Sequence, residues 1–197
     1  DQMAASLAAP DAALFIDTRS LAFEQLSLPP AAELVVIDSG IKHQHAGGEY
    51  RVRRQQCVDS AQQLGVRALR DVTVDALAAA SLPPPLDRRA RHVVTENARV
   101  VEARGALQRS DAKRFGELMN DSHRSMRDDF EVSTPEIDAL VAIAQQQGDV
   151  LGARMTGGGF GGSVVMLVTR GAARDIAELV ATRYRAERGG TPAILIP

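Results

Sequence analysis

Arg154-Met155-Thr156-Gly157-Gly158-Gly159-Phe160-Gly161-Gly162-Ser163-Val164-Val165-Met166-Leu167-Val168 is the stretch on which the fold turns. Five of the six residues 157–162 are glycine, and each would cost backbone entropy in a helix or strand. What glycines permit is positive φ and close approach of main-chain N–H groups to an anion or to another backbone. The runs on either side, Val150 to Met155 and Ser163 to Val168, are β-rich, so the spacing predicts a strand, a glycine loop and a second strand. A P-loop is excluded, because no Lys-Ser/Thr follows and the next element is a strand. A dinucleotide fingerprint is excluded as well, since its third glycine must open a helix. The glycines alone remain equally compatible with a tight bulged hairpin.

Working outward, a helix from about Ala172 to Glu187 carries Ile176, Leu179, Val180 and Tyr184, and a strand Ala193–Ile196 follows. Upstream, Ser133-Thr134-Pro135-Glu136 reads as a capping box opening a helix with Ile137, Leu140, Val141 and Ala144, ending near Gly148. Two long helices precede it. One repeats Leu86, Ala90, Val93, Val94, Asn97 and Val101, and the other Phe115, Leu118, Met119, Ser122 and Met126. Thr73 is placed to cap a short helix. From Glu49, Tyr50, Cys57, Ala61 and Leu64 share one helical face, with Gly65 as a C-cap. The first forty residues read as a short Ala-rich helix over 2–9 and two strands, 13–17 and 33–38. Strands in a sheet with helices gathered on one face make an α+β fold with mixed or antiparallel pairing.

The bulk properties narrow the function. At 197 residues the chain is long enough for a substantial core, and 45% hydrophobic with 24% charged residues is the ordinary globular balance. A formal charge of -2 argues against nucleic acid or an anionic membrane as partner. The single cysteine, Cys57, rules out an internal disulfide and reads as a small hydrophobe; with no signal peptide or spanning segment, the expected location is cytoplasmic. His43 and His45 would share a strand face, but no third ligand is evident, so no metal site is expected in this chain. His92, among Arg88, Arg89 and Arg91, reads as part of a solvated helix face. His123, in Ser122-His123-Arg124-Ser125, reads as a buried network or a site rim.

Arg154 to Gly162 resembles the third conserved motif of galactokinases, in the GHMP kinase superfamily. Further segments are similar in order. They are Glu49-Tyr50-Arg51-Val52-Arg53-Arg54-Gln55-Gln56-Cys57, Ala68-Leu69-Arg70-Asp71-Val72, Arg88 to Glu96, and Met119 to Ser133. The resemblance runs almost end to end. It implies a ferredoxin-like GHMP-kinase C-terminal domain over 41–197, with 1–40 a remnant of the interdomain and N-terminal region.

The same resemblance implies site residues. Asp1-Gln2 matches the end of a Met-Asp-Gln segment whose Asp is the proposed catalytic base, and Tyr50 matches the tyrosine that hydrogen-bonds the sugar. Gly157, Gly158, Gly159, Gly161 and Gly162 would form the cleft loop supporting the phosphate-binding loop. Ser163 departs from the Cys common after this motif. The implied activity is phosphorylation of D-galactose by ATP at the anomeric hydroxyl, with Mg²⁺. The family's sugar-holding first motif, its Gly-Leu-Ser-Ser-Ser phosphate loop and its Mg²⁺ ligands are absent from this sequence. The chain thus looks like the C-terminal portion of such an enzyme, expected to be inactive alone, with the missing N-terminal portion as partner. A catalytically dead galactose- and ATP-binding regulator, or a kinase for a related sugar such as N-acetylgalactosamine, would share these motifs. If the reading holds, Asp1 and Tyr50 lie close together and face the glycine loop.

Overall fold

The computed structural model describes residues 2–9, 11–41 and 46–195; Asp1, His43 and His45 lie outside the described residues. The elements are α1 (Gln2–Leu7), β1 (Ala12–Ile16), β2 (Phe23–Ser27), β3 (Ala32–Asp38), α2 (Ala46–Gln63), α3 (Val74–Ala78), α4 (Leu86–Gln108), α5 (Ala112–Ser125), α6 (Pro135–Gln145), β4 (Val150–Thr156), β5 (Ser163–Thr169), α7 (Ala173–Arg188) and β6 (Ala193–Leu195). A 3-10 turn covers Leu69–Asp71, and a π turn, Met126–Phe130, continues α5.

Among the described residues the main sheet has the order β4-β5-β3-β6, antiparallel throughout. Alternation along the strands decides its faces. Val35, Ile37, Met155, Val164, Met166 and Val168 point into one core against α6 and α7, which supply Leu140, Val141, Ile176, Val180 and Tyr184. Leu34, Val165 and Leu167 point the other way and meet Phe115 and Met119 of α5. The fold is α+β, as the residue pattern predicted. β3, which begins at Ala32, is an interior strand of this sheet, paired with β5 and β6.

Caps follow the side chains available. Thr73 Oγ1 accepts from the Ala76 amide, and Asp111 from the Arg114 amide. At α6 the capping residue is Thr134, one position later than the capping box implied; its hydroxyl accepts from Ile137 N. Ser133 is free to donate to Asp138 instead, at 2.6 Å.

β1 and β2 form a separate hairpin, Ala12↔Ser27 to Ile16↔Phe23. Two crossed ion pairs moor its turn to the 3-10 segment: Arg70–Asp17 and Arg19–Asp71, both 2.8 Å. Arg104 of α4 secures its far strand through Glu24.

Candidate functional site

The glycine loop is a β-hairpin connection whose ends are closed by the Thr156–Ser163 pair. Gly157, Gly159, Gly161 and Gly162 all have φ between +89° and +129°, which a residue with a β-carbon adopts only under strain. Around Gly157 and Gly158 no described residue lies within 4 Å of where a β-carbon would stand, so their main chain is open to close approach.

Three segments converge on this loop. From the end of β3, Ser39 places both its amide (2.9 Å) and its buried hydroxyl (2.7 Å) on the Gly162 carbonyl. Its neighbour Asp38 accepts from Ser163 Oγ at 3.3 Å and from the Gly40 amide at 2.7 Å. From the chain after the π turn, the Val132 carbonyl accepts the Phe160 amide at 2.6 Å. From α2, Arg53 donates to the carbonyls of Phe130 (2.7 Å) and Glu131 (3.0 Å), and its guanidinium lies 5.9 Å from the centroid of the Phe160 ring. Tyr50 stands three residues before Arg53, hence on the same side of α2 one turn earlier, and is half exposed. The structure therefore anchors the helix carrying Tyr50 to the glycine loop. Asp1 lies outside the described residues.

Beneath the loop is an arginine cluster. Glu131 sits in the left-handed region, at φ 55°. Its carboxylate receives Arg88 and Arg89, and Arg89 also donates to Asp129 O (2.6 Å) and Gln56 Oε1 (2.8 Å). Arg89 is buried at 2% exposure, which its place in a run of arginines did not signal. These pairs hold the Glu131 carboxyl below the usual carboxylate range, chiefly through the hydrogen bond from Arg89.

His92 corrects its sequence reading. It is buried rather than solvated, stacks on Phe130 at 4.4 Å between ring centroids, and meets Ser125 Oγ at 3.0 Å through Nδ1. Burial depresses its pKa to about 4, so the ring is neutral at pH 7. His123 is the buried network foreseen as one of its two alternatives, at 3% exposure. Cys57 is half-buried, and burial pushes its thiol pKa up, so it remains a thiol.

A cavity of about 630 Å³ opens between the β1–β2 hairpin, α4, α5 and the second sheet face. Its walls are apolar, with Leu14, Leu34, Phe115 and Met119. One end carries Arg154 and Thr156 of β4, which lead into the glycine loop. There Glu96 accepts from Arg99 Nε at 2.7 Å and from Ser122 Oγ. Among the described residues no three His, Cys, Asp or Glu side chains converge as a metal site, and no helix is long and apolar enough to cross a membrane.

Residues 103–186 match the family described as GHMP kinases C terminal. The whole chain superposes on Lactococcus lactis galactokinase complexed with galactose, with a TM-score of 0.94 and 28% identity over 100% of this chain and 53% of that one. L. major mevalonate kinase in complex with R-mevalonate gives 0.58 at 23% identity, over 94% and 47%. Homoserine kinase from Cytophaga hutchinsonii gives 0.52 at 15%, over 92% and 50%. The last two share the fold alone. The chain spans about half the length of these proteins. It has the GHMP-kinase C-terminal fold and resembles the C-terminal portion of a galactokinase.

Proposed function

We propose that this chain is the C-terminal part of a galactokinase, an enzyme transferring the γ-phosphoryl group of ATP to the anomeric hydroxyl of D-galactose. The observation that carries the reading is the end-to-end match to a galactokinase at TM-score 0.94, against 0.58 and 0.52 for kinases of other small molecules with the same fold.

Phosphoryl transfer rests mainly on positioning and on electrostatic clamping of the phosphates. In this reading Asp1 takes the proton from the anomeric hydroxyl as that oxygen attacks the γ-phosphorus, and ADP departs. The hydroxyl of Tyr50 hydrogen-bonds the sugar and orients it. The open backbone at Gly157 and Gly158 suits close packing against the loop that cradles the phosphates, and the tethers from Ser39, Val132 and Arg53 keep it in place. Mg²⁺, when bound, offsets the phosphate charge, and its ligands belong to the portion preceding this chain. In the same reading the enzyme works in the cytoplasm.

The test is to purify the full-length protein and the 197-residue chain and to follow sugar 1-phosphate formation from ATP and Mg²⁺. Galactose, N-acetylgalactosamine, mevalonate and homoserine serve as acceptors. Full-length protein is expected to phosphorylate galactose, and the 197-residue chain to show no turnover. Preference for another acceptor, or galactose and ATP binding without transfer, would overturn the reading.

A further inference from the structure

β4 is an edge strand, so its outward amides lack a strand partner. Helix α5 supplies the substitute. Asn120 Oδ1 accepts the Ala153 amide at 2.9 Å, and His123 Nδ1 accepts the Met155 amide at 3.4 Å. The two side chains are three apart on the helix and the two amides two apart on the strand, so one helical face serves successive outward positions. This close approach is possible because Gly116 of α5 faces Gly152 of β4; a β-carbon on either would overlap main-chain atoms around the other.

The Met155 contact does more than cover an edge. An amide N–H can only donate, so His123 Nδ1 is bare and a neutral ring carries its proton on Nε2. That nitrogen lies 3.3 Å from Asp138 Oδ1 at the first turn of α6. The distance is within reach but the alignment is outside hydrogen-bond geometry, and Nε2 is buried without another partner among the described residues. The carboxylate therefore holds the ring by attraction to the N–H rather than by a well-formed bond. Asp138 is itself oriented by Ser133 Oγ at 2.6 Å. The chain of contacts runs from Ser133 and Asp138 through His123 to the Met155 amide, two residues before Gly157.

We propose that His123, oriented by Asp138, is a positioning residue for phosphoryl transfer: it fixes the main chain at Met155 and so sets where the glycine loop leaves the sheet. This rests on the reading of that loop as part of the phosphoryl-transfer cleft. The pair does not touch substrate; it acts through the backbone.

Two variants separate positioning from packing. His123→Asn keeps an acceptor near the Nδ1 position, whereas His123→Leu removes it and preserves bulk. Two readouts are used: full-length turnover with galactose, and amide hydrogen exchange across residues 155–160 in the 197-residue chain. For His123→Leu we expect kcat to fall about 10- to 100-fold, with KM for galactose within about threefold, as expected of a displaced reacting geometry. Exchange at 155–160 should rise about 10-fold or more while α7 is unchanged, and His123→Asn should recover most of both effects. Unchanged exchange in His123→Leu would overturn the proposal. So would equal loss in both variants with exchange raised through α5, α6 and α7, which marks packing alone. If the wild-type full-length protein is inactive on galactose, the functional reading falls, and exchange alone decides the latch.

Discussion

The amide of Phe160 donates to the carbonyl of Val132 across 2.6 Å, and Gly159 packs so close beside this bond that a β-carbon on it would stand 2.6 Å from Val132 Cβ and 2.8 Å from its carbonyl oxygen. The glycine loop is thus pressed onto the segment that follows the π turn, and the rest of the site is built around that contact.

Gly159→Ala should destabilise this junction twice, by overlap with Val132 and by strain at φ +93°. A loss of about 2–3 kcal/mol is expected. Urea unfolding of the 197-residue chain checks it, with Gly158→Ala as control, since nothing described stands within 4 Å of its β-carbon position. Equal losses in the two variants would refute the contact argument.

Arg89 joins α2, α4 and the π turn by donating to Gln56, Asp129 and Glu131. Arg89→Met should cost about 2 kcal/mol, because part of the loss is offset by the solvation available to Glu131 at 37% exposure. Arg89→Lys should recover less than half of that, since a single ammonium cannot serve three acceptors in a fork. Thermal unfolding of both variants reads the difference.

His92 makes stability depend on pH. Its folded pKa, about 4, lies below the ordinary value of about 6.5, so the unfolded chain binds the proton first. The contribution is fully present above about pH 6.5 and is lost as pH falls toward 4. Between pH 7 and pH 5 the native chain should lose about 2 kcal/mol that His92→Asn does not lose. Urea titrations at the two pH values measure this. A slope that persists in the variant would assign the effect elsewhere.

In the full-length protein, Tyr50→Phe should raise KM for galactose about 10-fold with a smaller change in kcat, the cost of one lost hydrogen bond to bound sugar. Steady-state kinetics with ATP saturating provide the check. An unchanged KM would remove Tyr50 from the sugar site.

The order of elements was legible because apolar residues recur at helical or strand spacing and because caps and breakers stand between them. Thr73 and Pro135 each mark a helix start that the structure confirms. β2 was not legible. Burial alternates along Phe23 to Ser27, but apolar character does not follow it, since Phe23 is exposed and only Leu26 is buried; the strand shows only in its pairing with β1. His92 and Arg89 misled for a related reason. They lie in a run of charged residues, and only the docking of Phe130, Asp129 and Glu131 against α4 takes them out of water.

The site divides in the same way. Local sequence determined the glycine loop between two strands, since glycines so concentrated suit neither a helix nor a strand, and it placed Tyr50 on the first turns of a helix. Tertiary structure decided that α2 reaches the loop through Arg53, that Val132 meets its middle and Ser39 its last residue, and that His123 meets the Met155 amide ahead of it. Those contacts join residues from 27 to 123 positions apart in the chain, such as Gly159 with Val132 and Gly162 with Ser39. Periodicity reports which face of an element seeks the core; it carries no information on which distant carbonyl or amide will stand opposite a given side chain.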